Sequence, residues 1–388
     1  MSGNTPASIS DLRSAARGRV PRLFFDYCDG GAGEEAALHR NMSRLSDIRM
    51  LPRGPRDVSS RQSGVRLFGK DYAQPFGISP IGLANLFWPG TDIALARAAR
   101  QAGIPHVLST AASTMLEEVA PETGGMGWFQ LYVSKDDAIT DDLLRRAEAA
   151  GYEVLVVTVD ITQPGKRRKD IRNGFTLPMP MGPRFMAQLA ARPSWCLAAF
   201  GKPVPKIVNL ERYAPSDGAQ TLAAFMAAQI SAAVDLDQIA RIRARWKGAM
   251  VVKGILHPDD AVALADAGVD GVIVSNHGGR QLDSAPATID ALPAIAAAAG
   301  DRLTIMLDGG IRCGEDMAKA LAAGARFVFS ARAFLYSVAA TGGDASVGVS
   351  MLADEFDRVL AHLGCTRPEQ LSPDLIWPGD LSMTHGKA

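Results

Sequence analysis

The chain has 388 residues, and its 41 lysines and arginines balance its 41 aspartates and glutamates, so its formal net charge is zero. A balanced chain offers no surplus of cations to a phosphate backbone, so we expect no nucleic acid among its partners. Hydrophobic residues make up 47% of the chain and charged residues 21%, an ordinary globular composition that excludes disorder as a global description.

Cysteine usage and hydropathy indicate the compartment. The four cysteines are far apart and form no C-x-x-C motif, which argues against a metal site or a disulfide framework and favours a reducing environment. Residues 1–9 lack the basic start and apolar run of a secretory signal, and no apolar stretch reaches the roughly 18 residues that a transmembrane helix needs. We therefore expect a cytoplasmic protein whose membrane contact, if any, is peripheral and on the inner face of the cell membrane.

Strand and helix patterns alternate along the chain. Short runs that are apolar on both faces are typical of buried parallel strands, and alanine-rich amphipathic stretches between them are typical of helices. The predicted strands are Phe76–Ser79, His106–Thr110, Gly127–Val133, Val154–Asp160, Met250–Ile255, Gly271–His277, Thr304–Gly310 and Phe327–Ala331. The clearest predicted helices are Asp92–Ala102, Asp141–Ala150, Pro258–Ala267 and Glu315–Ala323, each followed by the glycine that helix C-termini prefer.

Successive strand–helix units predict an α/β fold of the (β/α)₈ TIM barrel type. We expect one domain over residues 1–388, with a helical N-terminal extension at 6–72 and the barrel at 73–365. A doubly wound sheet is the alternative, but its dinucleotide motif has only a partial match at Gly31–Ala36, with no acidic residue at the ribose position. We interpret that match as a turn before a helix.

A long insertion, of about residues 161–235, separates the fourth and fifth predicted strands. The loops that follow barrel strands all lie at the catalytic end, so this insertion is expected to lie over the active site.

Polar side chains gather where several predicted strands end. Side chains two residues apart on a strand point the same way, so such pairs belong to one face. The polar residues at these ends are Gln130, Tyr132, Thr158, Asp160, Lys253, Ser275, His277 and Asp308. Each alone is compatible with a satisfied polar group in the core, but together at the carboxyl-terminal rim of a barrel they indicate an active site.

His277 is the candidate for acid–base work among the six histidines. It ends the sixth predicted strand, two glycines follow it, and Arg280 brings a cation within about one turn of chain. By contrast, His106 begins a strand at the opposite end of the barrel, and His257 is expected to open a helix.

The loops after the last two strands are candidates for phosphate binding. Asp308–Arg312 and Ser330–Arg332 contain two glycines, whose backbone N–H groups are accessible, and two arginines, which are bidentate donors. These two loops form the usual phosphate site of TIM barrels, although a glycine-rich turn with solvated arginines is the alternative.

Together these segments resemble the FMN-dependent α-hydroxy acid dehydrogenases and oxidases over about residues 11–371. The most specific motif is Ser275–Asp283. Supporting matches are Phe25–Tyr27, Gly30–Ala32, Trp128–Tyr132, Thr158–Asp160 and Val252–Gly254. Within the family the chain looks most like the L-mandelate and L-lactate dehydrogenases.

The resemblance implies an FMN cofactor and a role for each matching residue. His277 would be the base, with Asp160 stabilising its imidazolium. Tyr27 and Tyr132 would hydrogen-bond the carboxylate and hydroxyl groups of the substrate, and Arg167 and Arg280 would clamp its carboxylate. The residues expected to hold FMN are Pro80, Ile81, Gly82, Ser109, Gln130, Thr158, Lys253, Ser275, Asp308, Gly309, Gly310, Ile311, Arg312, Ala331 and Arg332.

The implied reaction is the oxidation of a small L-2-hydroxy acid to the 2-keto acid, in a homotetramer. Gly82 stands where the family's oxidases carry alanine, which favours a quinone or another carrier over oxygen as electron acceptor. Ile81 replaces the threonine of many members, so one contact with the flavin would be missing. Ala111 replaces a bulky aromatic residue of glycolate oxidase, which indicates room for a larger R group.

The insertion combines basic and apolar residues over 176–212, with one tryptophan. Such a segment suits a membrane interface, but a lid on the barrel or a subunit contact explains the same composition. The resemblance to mandelate dehydrogenase over this segment favours the peripheral membrane contact.

Other functions stay open on the sequence alone. A 2-hydroxy acid oxidase that releases hydrogen peroxide differs only in its acceptor. An FMN-containing isomerase or a cofactor-free phosphate-sugar enzyme would share the phosphate loops, but would not need Arg167, Arg280 and His277 together. A non-catalytic flavin-binding module is disfavoured because it would need neither the base nor the carboxylate clamp.

Overall fold

A computed structural model describes residues 6–176, 179, 182–214 and 230–381 of the chain. Parallel strands form a closed eight-stranded barrel in which neighbours in the chain are neighbours in space, and the last strand pairs with the first. The barrel strands are Phe76–Ile78, His106–Ser109, Gly127–Leu131, Val154–Thr158, Ala249–Ile255, Gly271–Val274, Thr304–Asp308 and Phe327–Ser330. The (β/α)₈ barrel predicted from the alternating pattern is confirmed.

Several strands end earlier than the sequence predicted. The sixth strand ends at Val274 and not at His277, because His277 has a φ of 58°, outside the extended region. The seventh ends at Asp308 and not at Gly310, because Gly309 and Gly310 have φ values of 99° and 93°. The residues released from the ladder form loops at the carboxyl-terminal end of the barrel.

Helices on the outside of the barrel connect the strands and follow the last one. They are Ala84–Phe87, Thr91–Ala102, Leu116–Val119, Asp137–Ala149, Leu236–Arg245, Pro258–Asp266, Thr288–Ala299, Gly314–Ala322, Arg332–Thr341 and Ser346–His362, with 3₁₀ turns at Ala120–Thr123, Pro368–Gln370 and Pro373–Leu375. The predicted start at Asp141 was one turn too late, because the Asp136 carboxylate accepts the Ala138 N–H and caps the helix there. His257 caps the helix that follows it, as the sequence predicted.

The N-terminal extension includes a hairpin that covers the end of the barrel where the strands begin, opposite the catalytic end. The extension consists of helices Ile9–Arg19, Arg22–Asp29 and Ala36–Asp47 and of the antiparallel strands Val65–Leu67 and Lys70–Tyr72. Only helices were predicted here, because strands of three residues are too short to show a period. Trp128 Nε1 donates to the Tyr72 hydroxyl at 2.9 Å within the apolar cluster that fills this end. His106 begins its strand in a buried position, and burial lowers its pKa to about 4, so its ring stays neutral at physiological pH.

The insertion between the fourth and fifth strands is held by contacts with the N-terminal helices and with loops at the carboxyl-terminal end of the barrel, which we call its open end. Its described helices are Arg168–Asn173, Pro183–Ala190, Pro193–Ala199 and Val208–Glu211. The Trp195 ring lies 5.1 Å from the Phe24 ring, and its Nε1 donates to the Phe87 carbonyl oxygen at 3.2 Å. Asn209 Oδ1 accepts the Leu116 N–H at 2.9 Å. Within the described ranges, no helix has the length and apolar character needed to span a membrane.

Candidate active site

A histidine and an aspartate from different strand ends form a pair at the open end of the barrel. His277 Nδ1 lies 2.9 Å from Asp160 Oδ1, and both side chains are mostly buried. Gly254 makes room for this carboxylate, because a Cβ there would lie 2.6 Å from the Asp160 Cβ. The Ser275 hydroxyl accepts the His277 N–H at 3.1 Å and supports its left-handed backbone. Non-glycine residues in this conformation are uncommon and often mark functional sites.

The surroundings of Asp160 favour its charged form. Burial acts to raise the pKa of this carboxyl group, but the neighbouring His277 and Lys253 outweigh burial and bring the pKa below its ordinary value. Asp160 is therefore ionised at neutral pH and accepts the Nδ1 proton, which leaves His277 Nε2 as the basic nitrogen. This arrangement agrees with the predicted role of Asp160, which is to stabilise an imidazolium formed when Nε2 takes up a proton.

Two arginines from distant segments flank one tyrosine ring. The guanidinium carbons of Arg167 and Arg280 lie 5.2 and 5.3 Å from the centre of the Tyr27 ring. Phe175 stacks on the same ring at 4.4 Å. Asp170 Oδ2 lies 2.7 Å from Arg167 Nε and orients that guanidinium. Both arginines line the cavity that contains His277, an arrangement suited to a single carboxylate.

Arg280 is held by backbone carbonyl groups. Its Nη1 donates to the carbonyl oxygens of Tyr27 at 2.8 Å and of Gly30 at 2.7 Å. Burial and the neighbouring Arg167 and Arg332 lower its pKa to about 10, so it is still charged at neutral pH. A buried cation surrounded by other cations is costly, and an anionic ligand would relieve that cost.

Three segments that are far apart in the sequence interlock beside these arginines. They are the turn after the second helix, the start of the insertion and the loop after the sixth strand. Two backbone hydrogen bonds join them, from the Ala32 N–H to the Gly279 oxygen at 2.9 Å and from the Gly33 N–H to the Lys166 oxygen at 3.0 Å. A third bond runs from the Gly165 N–H to the side-chain Oε1 of Gln281 at 2.8 Å. Tyr27, Arg167 and Arg280 each belong to one of these segments or its immediate neighbours, so the interlock sets their spacing.

Lys253 occupies the centre of a buried polar cluster. Its Nζ donates to the Ser275 hydroxyl at 2.6 Å and lies 3.0 Å from Asp308 Oδ2. Burial acts to lower the pKa of this lysine, but Asp308 and Asp160 outweigh burial and raise the pKa above its ordinary value. The structure therefore holds a buried positive charge in the wall of the cavity.

Other buried polar atoms of the barrel strands, towards their carboxyl-terminal ends, have no hydrogen-bond partner in the described chain. They are Gln130 Nε2, Thr158 Oγ1 and Asp308 Oδ1, while Ser109 Oγ donates to Gln130 Oε1 at 3.0 Å. Buried polar groups in proteins are nearly always hydrogen-bonded, so we expect a polar ligand to supply the missing partners of these donors and acceptors. The polar edge and ribityl chain of a flavin have the matching groups, and the residues present therefore fit FMN.

The loops after the seventh and eighth strands form the cationic end of the same cavity. Gly309 and Gly310 follow the seventh strand, and Arg312 and Arg332 line the wall beside them. Arg332 is fixed by the carbonyl oxygens of three residues, Cys28, Gly30 and Gly278, at 2.8–3.0 Å. Neither arginine forms an ion pair with a carboxylate in the described ranges, as expected of donors reserved for a phosphate.

One cavity of about 420 Å³ brings most of the predicted site residues together. Its wall includes Tyr27, Pro80, Ile81, Gly82, Tyr132, Thr158, Arg167, Lys253, His277, Arg280, Asp308, Gly309, Gly310, Ile311, Arg312, Ala331 and Arg332. The predicted residues Ser109, Gln130, Asp160 and Ser275 lie behind the wall and bond to one another or to residues of the wall. The structure thus assembles the predicted set, and their individual roles remain predictions.

The structure also adds residues that the sequence did not identify as part of the site. Ser79 lines the cavity and donates to Asp308 Oδ2 at 3.3 Å, and a polar residue at the end of the first strand was a signal for it. Asp170 follows Arg167 at helical i,i+3 spacing, which also predicts their pairing. Phe175 and Ile230 reach the cavity from opposite parts of the insertion, and no periodicity indicates them.

The fold and this site define a barrel enzyme that holds a phosphate-bearing redox cofactor beside an acid–base pair and a carboxylate clamp. A comparison with protein families supports this class, because the sequence pattern of the family described as FMN-dependent dehydrogenase matches residues 16–378. The chain belongs to the FMN-dependent dehydrogenase family, and its cofactor is FMN.

Individual relatives cover nearly the whole chain. It is 42% identical over 358 residues to an L-lactate dehydrogenase of Caulobacter vibrioides, with 91% of each chain covered. A putative L-lactate dehydrogenase of Mycobacterium tuberculosis is 38% identical over 369 residues, covering 94% of this chain and 88% of that protein. Among solved structures, a monotopic membrane (S)-mandelate dehydrogenase has a TM-score of 0.91 at 35% identity, over 96% of this chain and 100% of that one. A mandelate oxidase has a TM-score of 0.81 at 35% identity, over 94% and 96%.

Proposed function

We propose that this FMN-dependent L-2-hydroxy acid dehydrogenase acts on substrates of the L-mandelate or L-lactate type, with His277 as its base. The single observation that carries the proposal is the His277–Asp160 pair, at 2.9 Å, in one cavity with Arg167 and Arg280. A 2-hydroxy acid presents a carboxylate to such a clamp and a proton to such a base. When bound, FMN supplies the two-electron acceptor.

The two arginines of the carboxylate clamp bind the substrate. Arg167 and Arg280 hold the substrate carboxylate between them, and the Tyr27 ring on which they converge keeps their spacing fixed. Tyr132 lines the same cavity, and burial raises the pKa of its hydroxyl, so it stays a neutral hydrogen-bond donor. Fixing the acid in one orientation removes orientational entropy from the barrier.

Proton transfer is the task of His277. Its Nε2 accepts a proton from the substrate, from the hydroxyl group or from Cα, and Asp160 stabilises the resulting imidazolium. Lys253, whose Nζ lies 3.0 Å from Asp308 Oδ2 in the wall of the same cavity, would hold FMN by its charge and would stabilise the negative charge that FMN gains on accepting two electrons. These groups are preorganised by their own hydrogen bonds, so little rearrangement accompanies the reaction.

The wall that would face the R group is apolar and partly built from the insertion. It consists of Ile81, Ala111, Ile161, Phe175, Ile207 and Ile230. Ala111 is small and lies against Gly82, where a Cβ would be only 3.1 Å from the Ala111 Cβ. An aryl or branched R group fills this volume better than a hydrogen atom or a methyl group, which favours mandelate-like over glycolate-like substrates.

Anaerobic mixing of the holoenzyme with L- and D-2-hydroxy acids tests the function. We expect L-mandelate and L-lactate to bleach the flavin absorbance and their D-enantiomers to leave it unchanged. Ala111→Trp should lower the bleaching rate constant with L-mandelate by at least about 10-fold and affect L-lactate less, since a misfit of even one methylene in an apolar pocket changes the rate by about 10- to 200-fold. A flavin that no 2-hydroxy acid bleaches would remove the proposal, and an equal effect on both substrates would remove the assignment of Ala111.

We propose a quinone or a similar carrier as the electron acceptor, with Gly82 as the sequence feature that favours it. Rapid reoxidation of the reduced enzyme by a soluble quinone analogue, with slow reoxidation in air, is the expected result. Stoichiometric hydrogen peroxide under air would instead support an oxidase, the activity named for one structural neighbour.

We also propose peripheral contact with the inner face of the cell membrane through segment 176–212. Two of its side chains, Leu197 and Phe200, are 78% and 87% exposed, and Met186 and Val204 are exposed as well. Trp195, which the sequence suggested for a membrane interface, is buried against the N-terminal helices instead. The exposed residues therefore carry the proposal, and a monotopic membrane protein among the structural neighbours supports it.

Leu197→Ser/Phe200→Ser should weaken binding to lipid vesicles by at least about tenfold, since burying one such side chain contributes about 1.5–3 kcal/mol. Co-sedimentation with vesicles measures the effect, and the flavin bleaching rate should not change. Vesicle binding that survives the double substitution intact would contradict the proposed contact. The homotetramer implied by the resemblance stays a prediction, which sedimentation velocity would check.

A further inference from the structure

A second cavity, of about 250 Å³, lies outside the active site where the first two helices meet the first helix of the insertion. Its wall is polar and mostly basic, with Arg13, Arg17, Arg22, Phe25, Asp26, Asp29, Lys169, Arg172 and Asn173. It shares no residue with the cavity of the active site. We refer to it as the basic cavity.

Both acidic residues of the basic cavity are already neutralised. Asp29 accepts two hydrogen bonds from Arg13, at 2.7 Å each, and one from the Tyr336 hydroxyl at 2.6 Å. Asp26 accepts from Arg22 at 3.2 Å and from Asn173 at 2.8 Å. These carboxylates therefore have little capacity left to compensate further cations.

Arg17 and Arg172 are the cations of the basic cavity that no carboxylate in the described ranges neutralises. Neither forms an ion pair or a side-chain hydrogen bond with any residue in the described ranges, whereas Lys169 is paired with Glu35 at 2.7 Å. The wall as a whole carries more cations than carboxylates in a chain whose net charge is zero. Arg17 and Arg172 are exposed side chains that line this cavity, and guanidinium groups match the oxygens of a phosphate group.

We propose that the basic cavity binds a phosphate mono- or diester anion, with Arg17 and Arg172 as its principal ligands. The membrane is the favoured source of that phosphate, as the headgroup of an anionic phospholipid, and this choice of source rests on the proposed membrane contact. Ile171, beside Arg172 in the sequence, is exposed. Two hydrogen bonds, from Leu23 N–H to Gln188 Oε1 at 2.9 Å and from Arg192 Nε to the Val20 oxygen at 3.3 Å, tie the helices of the cavity to those of segment 176–212.

The test compares the holoenzyme with Arg17→Gln/Arg172→Gln in two assays. The first is co-sedimentation with vesicles of phosphatidylcholine alone or mixed with phosphatidylglycerol. The second is ³¹P line broadening of glycerol 1-phosphate. At about 1 kcal/mol for each arginine near an anionic surface, the double variant should bind the mixed vesicles about 10- to 30-fold more weakly. Arg53→Gln/Arg326→Gln removes two exposed arginines outside the cavity and is the matched control.

The outcomes separate the site from its ligand and from the enzyme's reaction. A selective loss of binding to the mixed vesicles supports a lipid headgroup. A loss of glycerol 1-phosphate binding, with vesicle binding unchanged, assigns the cavity to a soluble phosphate ester and overturns the lipid source. Equal effects of the double variant and its control in both assays overturn the site. Flavin bleaching by L-2-hydroxy acids should be the same in all variants, so a failure here leaves the proposed reaction untouched.

Discussion

His277→Asn is expected to slow flavin reduction by L-2-hydroxy acids by about a hundredfold to ten-thousandfold, the usual contribution of a positioned acid–base group. Asparagine suits this position, because it tolerates the left-handed backbone that His277 adopts, at a φ of 58°. The substitution should therefore remove the basic nitrogen without unfolding the loop. Anaerobic stopped-flow absorbance measures the effect.

Two controls make that result interpretable. FMN content, read from the visible absorbance, should equal that of the unsubstituted protein. His257→Asn changes an exposed histidine that caps a helix, a position where asparagine is equally suitable, and should leave the bleaching rate unaltered. A His277→Asn protein that retains its FMN and bleaches at the normal rate would show that the base lies elsewhere.

Lys253→Met is expected to lower the free energy of unfolding by about 3–5 kcal/mol, the usual cost of removing one partner of a buried ion pair. The loss follows because Asp308 Oδ2 and the Ser275 hydroxyl, now 3.0 and 2.6 Å from Nζ, are left in a buried site without the cation. FMN affinity should fall as well, since the positive charge in the wall of the cavity is gone. Urea unfolding and flavin titration measure the two effects.

A double substitution separates the two consequences of losing Lys253. Lys253→Met/Asp308→Leu removes both charges, so it should recover much of the stability, because an apolar pair of similar volume often replaces a buried ion pair without loss. It should not recover FMN affinity. Lys247→Met, at an exposed lysine, controls for the loss of a positive charge. If Lys253→Met unfolds at the same urea concentration as the unsubstituted protein, the buried pair contributes nothing to stability.

The barrel was predictable because its signals are local and repeated. Each strand is a short apolar run, and each strong helix ends in a glycine, so the succession alone specifies the architecture. Boundaries were less predictable, because they depend on backbone torsion angles. The sixth strand ends at Val274, three residues before its predicted end, and no residue type indicates the left-handed conformation that His277 adopts beyond it.

The polar part of the site was predictable for a related reason. Gln130, Thr158, Lys253 and Asp308 stand at strand ends, where a barrel places its active site. The apolar wall of the cavity was not predictable, because one of its residues, Ile230, stands near the end of the long insertion, where no pattern in the sequence indicates a contact with the cavity. For Trp195 the sequence suggested a position at a membrane interface, but the side chain is buried. Composition alone does not distinguish an apolar residue that packs on the protein from one that is exposed.

The interlock of the three backbone segments has a consequence for how the enzyme is made. Most barrel strands pair with the next strand along the chain, whereas the contacts of Ala32 with Gly279 and of Gly165 with Gln281 close long loops, as the pairing of the last strand with the first also does, at a greater entropic cost. Tyr27, Arg167 and Arg280 can reach their final spacing only when those loops have closed. A chain on the ribosome therefore cannot assemble its substrate clamp until the loop that follows the sixth strand, which carries Gly279 and Arg280, has been synthesised.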